Sequence, residues 1–166
     1  AEMPSLESCL IHLGALTDRE FTLEFMRHLK KLGFRLSVDM QGFVRQVDPR
    51  SGVIEFRDVP GKREIAGLAD VVKLDVVEAE VLTGTRNMEE AARQVEAWGA
   101  QESILTCSEG AYARYRGTTF FKRFSNRSAQ GRTGRGDTTM GAYLARRLDH
   151  DVQESLAFAA ALASIK

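Results

Sequence analysis

The feature that most constrains the fold is a rhythm: short apolar runs suited to strands alternate with longer segments whose apolar residues recur at helical spacing, and glycines or polar turns separate them. Residues 8–13 form an apolar run that ends at Gly14. Thr17 and Glu20 follow at capping-box spacing, ahead of a helix whose apolar stripe is Phe21, Phe25, Met26, Leu29 and Leu32 and which Gly33 closes. Residues 34–38 read as a second strand that ends at Asp39, and 52–56 as a short, half-exposed strand beyond a polar turn. A helix over 64–69, a core strand over 70–74 and a helix over 77–82 ended by Gly84 come next. Residues 88–98 are helical with Gly99 after them, and 103–106 form a strand that leads into a turn at Gly110. Residues 111–115 and 119–124 flank Arg116-Gly117 as a hairpin, and helices over 136–148 and 152–165 complete the pattern. Such alternation predicts an α/β fold with a mainly parallel sheet, helices on both faces, and ligands beyond the carboxyl ends of the strands.

Composition narrows the function. The 166 residues, 43% of them hydrophobic, suffice for one domain over 1–166, and no shift in composition argues for a second. Lys plus Arg and Asp plus Glu both total 23, so no long-range field draws the chain to nucleic acid or an acidic membrane. Cys9 and Cys107 stand far apart and without the spacing of a disulfide framework or zinc site. No apolar run is long enough to span a bilayer, and the first residues lack the pattern of a signal peptide, so a cytoplasmic location is expected.

The chemistry concentrates in Gly131-Arg132-Thr133-Gly134-Arg135-Gly136-Asp137-Thr138-Thr139-Met140-Gly141. Glycines let the backbone approach a ligand, and the free N–H groups of a helix's first turn suit phosphate. A carboxylate beside that cradle should be repelled by the ligand, so Asp137 needs a chemical role. Accepting the proton of a hydroxyl that attacks phosphorus would supply one.

This segment resembles the C-terminal signature of ribokinase-like carbohydrate kinases of the phosphofructokinase B (PfkB) type, D-T-T-G-A-G-D. In that family the G-A-G backbone forms an anion hole and the final Asp is the catalytic base. The resemblance therefore assigns Gly134, Arg135 and Gly136 to the anion hole and Asp137 to the base. Gly131 replaces the family's first Asp, and Arg132 and Arg135 replace small residues. Either arginine would add charge-assisted contacts to a nucleotide or simply meet water.

Lys73-Leu74-Asp75-Val76-Val77-Glu78 resembles the family's N-x-x-E motif, with Asp75 in the Asn position. The resemblance implies that Asp75 and Glu78 organise magnesium through water. Read without it, Asp75 caps a helix and Glu78 and Glu80 lie on a solvated face. Thr106-Cys107-Ser108-Glu109-Gly110-Ala111 resembles the T-x-G-x-x-G-A turn that lines the nucleotide, which makes Thr106, Ser108 and Gly110 cofactor-binding residues; an ordinary β-turn is the other reading. Asp39 resembles an acceptor-site Asp in a D-x-N-x-R region, although a turn-capping Asp reads as well. His12 suits a satisfied core histidine, His28 and His150 look exposed, and Trp98 and the phenylalanines are core by periodicity.

What the resemblance implies is a ribokinase-like three-layer α/β/α fold, truncated, since family members are much longer; the N-terminal lid region and the C-terminal end would be missing. It implies ATP-dependent phosphoryl transfer to a hydroxyl of a sugar or polyol, with ATP and Mg2+ as cofactors and a homodimer left open. The rivals are a non-catalytic adenine-nucleotide-binding module, a nucleoside kinase and a dinucleotide oxidoreductase. The last lacks a G-x-G-x-x-G after the first strand.

Overall fold

A computed structural model describes residues 9–125 and 134–165. The parallel core consists of β1 (Leu10–Leu13), β2 (Arg35–Asp39), β5 (Val71–Asp75) and β6 (Glu102–Thr106), and β7 (Gly110–Tyr115) and β8 (Thr118–Arg123) extend it as an antiparallel hairpin. The strand order in this six-stranded sheet is β1-β2-β5-β6-β7-β8. β3 (Arg45–Val47) and β4 (Ile54–Phe56) pair separately as a two-stranded ribbon.

Alternation along the strands creates two cores. Leu36, Val38, Val72, Leu74 and Leu105 face one side, where they pack against Met26 and Leu29 of α1 (Leu23–Lys31), Ile65 of α3 (Lys62–Leu68), Leu82 of α4 (Val76–Thr83) and Val95 of α5 (Met88–Ala97). Val71, Ile104, Ala111 and Ala113 face the other side and meet α6 (Arg135–Arg146) and α7 (Val152–Ile165). The result is helices, sheet and helices in three layers. On the α6 side of the same strands the pattern places polar residues, Ser37 and Asp39 on β2 and Lys73 on β5, all buried. Burial of that kind requires partners, and these residues mark the site.

Several local expectations shift. Thr22, rather than Thr17, caps α1 by accepting from the Phe25 amide at 3.2 Å. Glu20 instead turns back to accept from the amides of Leu16 and Thr17. The stripe of α1 narrows to Met26 and Leu29, since Phe25 and Leu32 are exposed. A short helix, α2 (Gln41–Val44), and strand β3 arise where no element was expected, and the β4 strand is exposed along its length. Phe25, Phe56, Phe121 and Phe158 are also exposed, so periodicity overstates the aromatic core. His12 of β1 is exposed and bonds Ser37 Oγ at 3.0 Å rather than sitting in the core. His150 is half-buried beside Asp149. No helix among the described residues is long and apolar enough to cross a membrane.

Candidate active site

The carboxyl ends of β2, β5 and β6 bring Asp39, Asp75 and Thr106 to one edge. Asp39 pairs in register with Lys73, and Asp75 with Thr106. Against this edge stands the amino end of α6. Gly134 occupies the cap position at φ 76°, a left-handed conformation natural to glycine, and turns the chain into the helix. The first turn is fastened by its own side chains, because Thr138 Oγ1 donates to the Gly134 carbonyl and Thr139 Oγ1 to that of Arg135. The amides of this turn remain the natural anion donors.

Asp137 is exposed in that first turn and forms no ion pair among the described residues. Arg135 is buried, its guanidinium 5.2 Å from the ring centroid of Phe124, and its Nε finds no hydrogen-bond partner among the described residues. Thr106, Ser108, Phe124, Arg135 and Gly136 line one cleft of about 240 Å³. Gly131 and Arg132 lie outside the described residues.

Ser108 is exposed and donates to Glu109 at 3.0 Å. Gly110 has a packing reason to be glycine: a Cβ there would stand 2.3 Å from the carbonyl oxygen of Lys122. The close approach of β7 to β8 is by itself enough to require glycine there.

Asp75 is the N-cap of α4, accepting from the amides of Val77 and Glu78, both at 2.8 Å. Glu78 reaches back to accept from the Asp75 amide at 2.7 Å, which completes a capping box. The capping reading of Asp75 holds, but Glu78 is not on a solvated face. It is wholly buried, and its Oε1 has no hydrogen-bond partner among the described residues. Burial pushes its pKa up to about 7, Lys73 pulling it down and Asp39 and Asp75 pushing it further up. Glu80 stays at the surface and pairs with Arg86.

Lys73, which sequence reasoning passed over as part of a core strand, joins these groups. Its Nζ lies 2.9 Å from Asp39 Oδ2 and 3.8 Å from Glu78 Oε2, with side-chain exposures of 4%, 5% and 0% for the three. Burial alone would discharge the lysine, yet the two carboxylates outweigh it and hold its pKa above the ordinary value. A lysine inside a continuous apolar strand was itself the signal, since lysine is almost never buried unpaired. Asp39 Oδ1 also accepts from the Gln41 amide at 3.0 Å, so the turn-capping reading describes part of its role.

Acids thus outnumber bases here. An orphaned buried carboxylate oxygen on Glu78, next to Asp75, fits a hard divalent cation that takes oxygen ligands. Among the described residues no group of three or more His, Cys, Asp or Glu side chains could hold a metal outright, which suits a cation bound through water.

Comparison with known proteins gives the family. The family described as pfkB family carbohydrate kinase matches residues 10–166. A solved structure described as a pyrophosphate-dependent kinase in the ribokinase family, complexed with a pyrophosphate analog and myo-inositol, is 31% identical with a TM-score of 0.89, covering 97% of this chain and 58% of its own. A sulfate complex of a pyrophosphate-dependent kinase in the ribokinase family is 32% identical with a TM-score of 0.88, over 97% and 57%. Arabidopsis thaliana ribokinase, complexed with ribose and ATP, shares the fold at 21% identity and a TM-score of 0.71, over 93% of this chain and 48% of its own. The chain thus spans less than two thirds of the length of these relatives. Comparison with curated protein sequences gave no match. The match over nearly all of the chain, together with the three-layer fold, establishes that it belongs to the pfkB family of carbohydrate kinases.

Proposed function

We propose that this chain carries the core of a kinase that transfers a phosphoryl group from a phosphoric anhydride donor to a hydroxyl of a sugar or polyol. Asp137 accepts the hydroxyl proton as the oxygen attacks phosphorus, and the amides of Gly134, Arg135 and Gly136 hold the oxyanions of the transferred group. Asp75 and Glu78 would hold magnesium through water, and that ion would neutralise charge on the donor phosphates. Thr106 and Ser108 line the donor cleft, and Asp39 stands on the acceptor side. The observation that carries this reading is the free carboxylate of Asp137 in the first turn of α6, beside a glycine-lined cradle and clear of any ion pair among the described residues.

ATP is the donor that family membership favours. A second reading, in which the donor is pyrophosphate, is favoured by Arg135, a cation lining the cleft where a small residue is usual, and by the relatives above 30% identity. The test incubates the complete protein with magnesium and either ATP or pyrophosphate against a panel led by myo-inositol and ribose, and follows phosphorylated product. Product that forms with wild type and disappears in Asp137→Asn, while donor binding persists, supports the kinase. Donor binding without product in wild type identifies a non-catalytic module.

A further inference from the structure

Neither proton transfer to Asp137 nor the α6 amides require Lys73, yet its position is costly. A buried ammonium needs compensation, and Asp39 at 2.9 Å supplies one hydrogen bond. Glu78 at 3.8 Å lies beyond hydrogen-bond reach. The ammonium also abuts the first turn of α6: a Cβ built on Gly136 would stand 3.4 Å from both Cε and Nζ of Lys73. The amino end of a helix carries partial positive charge, so a cation is unfavourable there unless an anion shares the space.

Gly136 points the same way. Its φ is not positive, and an added methyl would meet Lys73 only in ordinary contact. Neither backbone conformation nor packing demands glycine, although glycine within a helix costs about 1 kcal/mol relative to alanine. What glycine preserves is an open line between the ammonium and the mouth of α6.

Resting on the kinase reading above, we propose that Lys73 is a further catalytic residue whose ammonium contacts the transferred phosphoryl group at the mouth of α6, with Asp39 as the positioning residue that holds it there. As the bond from phosphorus to the donor's bridging oxygen breaks and the bond to the acceptor oxygen forms, the hydroxyl proton passes to Asp137. Lys73 remains protonated throughout and offsets charge on the oxygens in flight. Four carboxylates, those of Asp39, Asp75, Glu78 and Asp137, stand in this region, so a donor phosphate needs a cation on the protein side as well as its metal.

A cycle of Lys73→Met, Asp39→Asn and the double variant of the complete protein separates this role from a mere tie between β2 and β5. Each single variant leaves an unpaired buried group and should lower Tm. The double variant should recover Tm while kcat stays about 100-fold or more below wild type. Lys73→Arg should regain part of kcat. Gly136→Ala leaves the ion pair intact and should lower kcat about tenfold with Tm unchanged or raised. Recovery of kcat together with Tm in the double variant, or unchanged kcat in Gly136→Ala, overturns the proposal. If wild type phosphorylates nothing with either donor, the kinase reading fails, and calorimetry with magnesium pyrophosphate then decides the lysine separately. Binding weakened about tenfold or more in the double variant supports the contact; equal binding, or none to wild type, overturns it.

Discussion

Both ends of the sheet bury carboxylates, and they treat them differently. At the amino end Asp70 accepts from Lys30 Nζ at 3.0 Å and from the Leu36 amide at 2.8 Å. Glu102 accepts from Tyr143 OH at 2.5 Å and from Arg147 at 3.3 Å. Each acid there has a cation and a neutral donor, so that cluster is closed. At the carboxyl end one lysine faces Asp39 and Glu78, with Asp75 close by, and Glu78 keeps an orphaned oxygen. A buried group left unsatisfied costs free energy, and a fold that keeps one at a ligand edge has left it for something that binds. Closed clusters hold elements together; the open one is equipped to receive a cation and an anion.

If this contrast is right, substitutions at the carboxyl end change rate more than stability, and those at the amino end do the reverse. The largest effect belongs to Asp137→Asn. Loss of the base should lower kcat by about 10² to 10⁴-fold. The exposed position means that Tm should move little. A variant that retains full activity, measured as phosphorylated product over time, would break the contrast at its strongest point.

The sequence made the helix-mouth cradle and the capping box at Asp75 legible because both are local. A glycine run before a periodic segment, and Asp three residues before Glu, depend only on neighbours along the chain. The three-layer order was legible for the same reason, from alternating periods. Lys73 was not, because its partners come from β2 and α4 and from register rather than spacing. Read from its own segment alone, Glu78 falls on a solvated face, because α4 is apolar almost all round and no polar face tells its two sides apart; only the resemblance placed it at the site. The Thr17 cap failed to form because Thr22, nearer the first helical residue, offered a better one.

A smaller effect separates the ends by pH. Glu78 ionises near 4.5 when unfolded but near 7 in the fold. Between those values the folded state binds more protons than the unfolded, so the stabilisation is fully present below about 4.5 and is lost as pH rises through about 7. Without magnesium, urea denaturation should show wild type losing on the order of 3 kcal/mol across that window, and Glu78→Gln should remove most of the slope. A slope of the same size in the variant would assign it to other groups and leave the carboxyl-end cluster as closed as the amino-end one.

The smallest expected effect tests the amino end. Tyr143 is fully buried, and burial beside Glu102 holds its phenol protonated. Tyr143→Phe removes the donor to Glu102 Oε1 but leaves Arg147 on Oε2. A cavity of about 330 Å³ lined by Glu102, Arg147 and Tyr115 adjoins the gap, so water can replace the lost hydroxyl and keep the cost near 1 kcal/mol. For a chain of this size that lowers Tm by about 2 to 4 °C. Tyr143 and Asp137 share α6, about 9 Å apart along its axis at 1.5 Å per residue. A rigid helix would pass nothing of this loss to the catalytic end, and kcat should stay within about twofold of wild type. A larger fall in kcat would show that the Glu102 cluster sets the placement of α6, and that the closed end contributes to catalysis by holding the helix on which the open end depends.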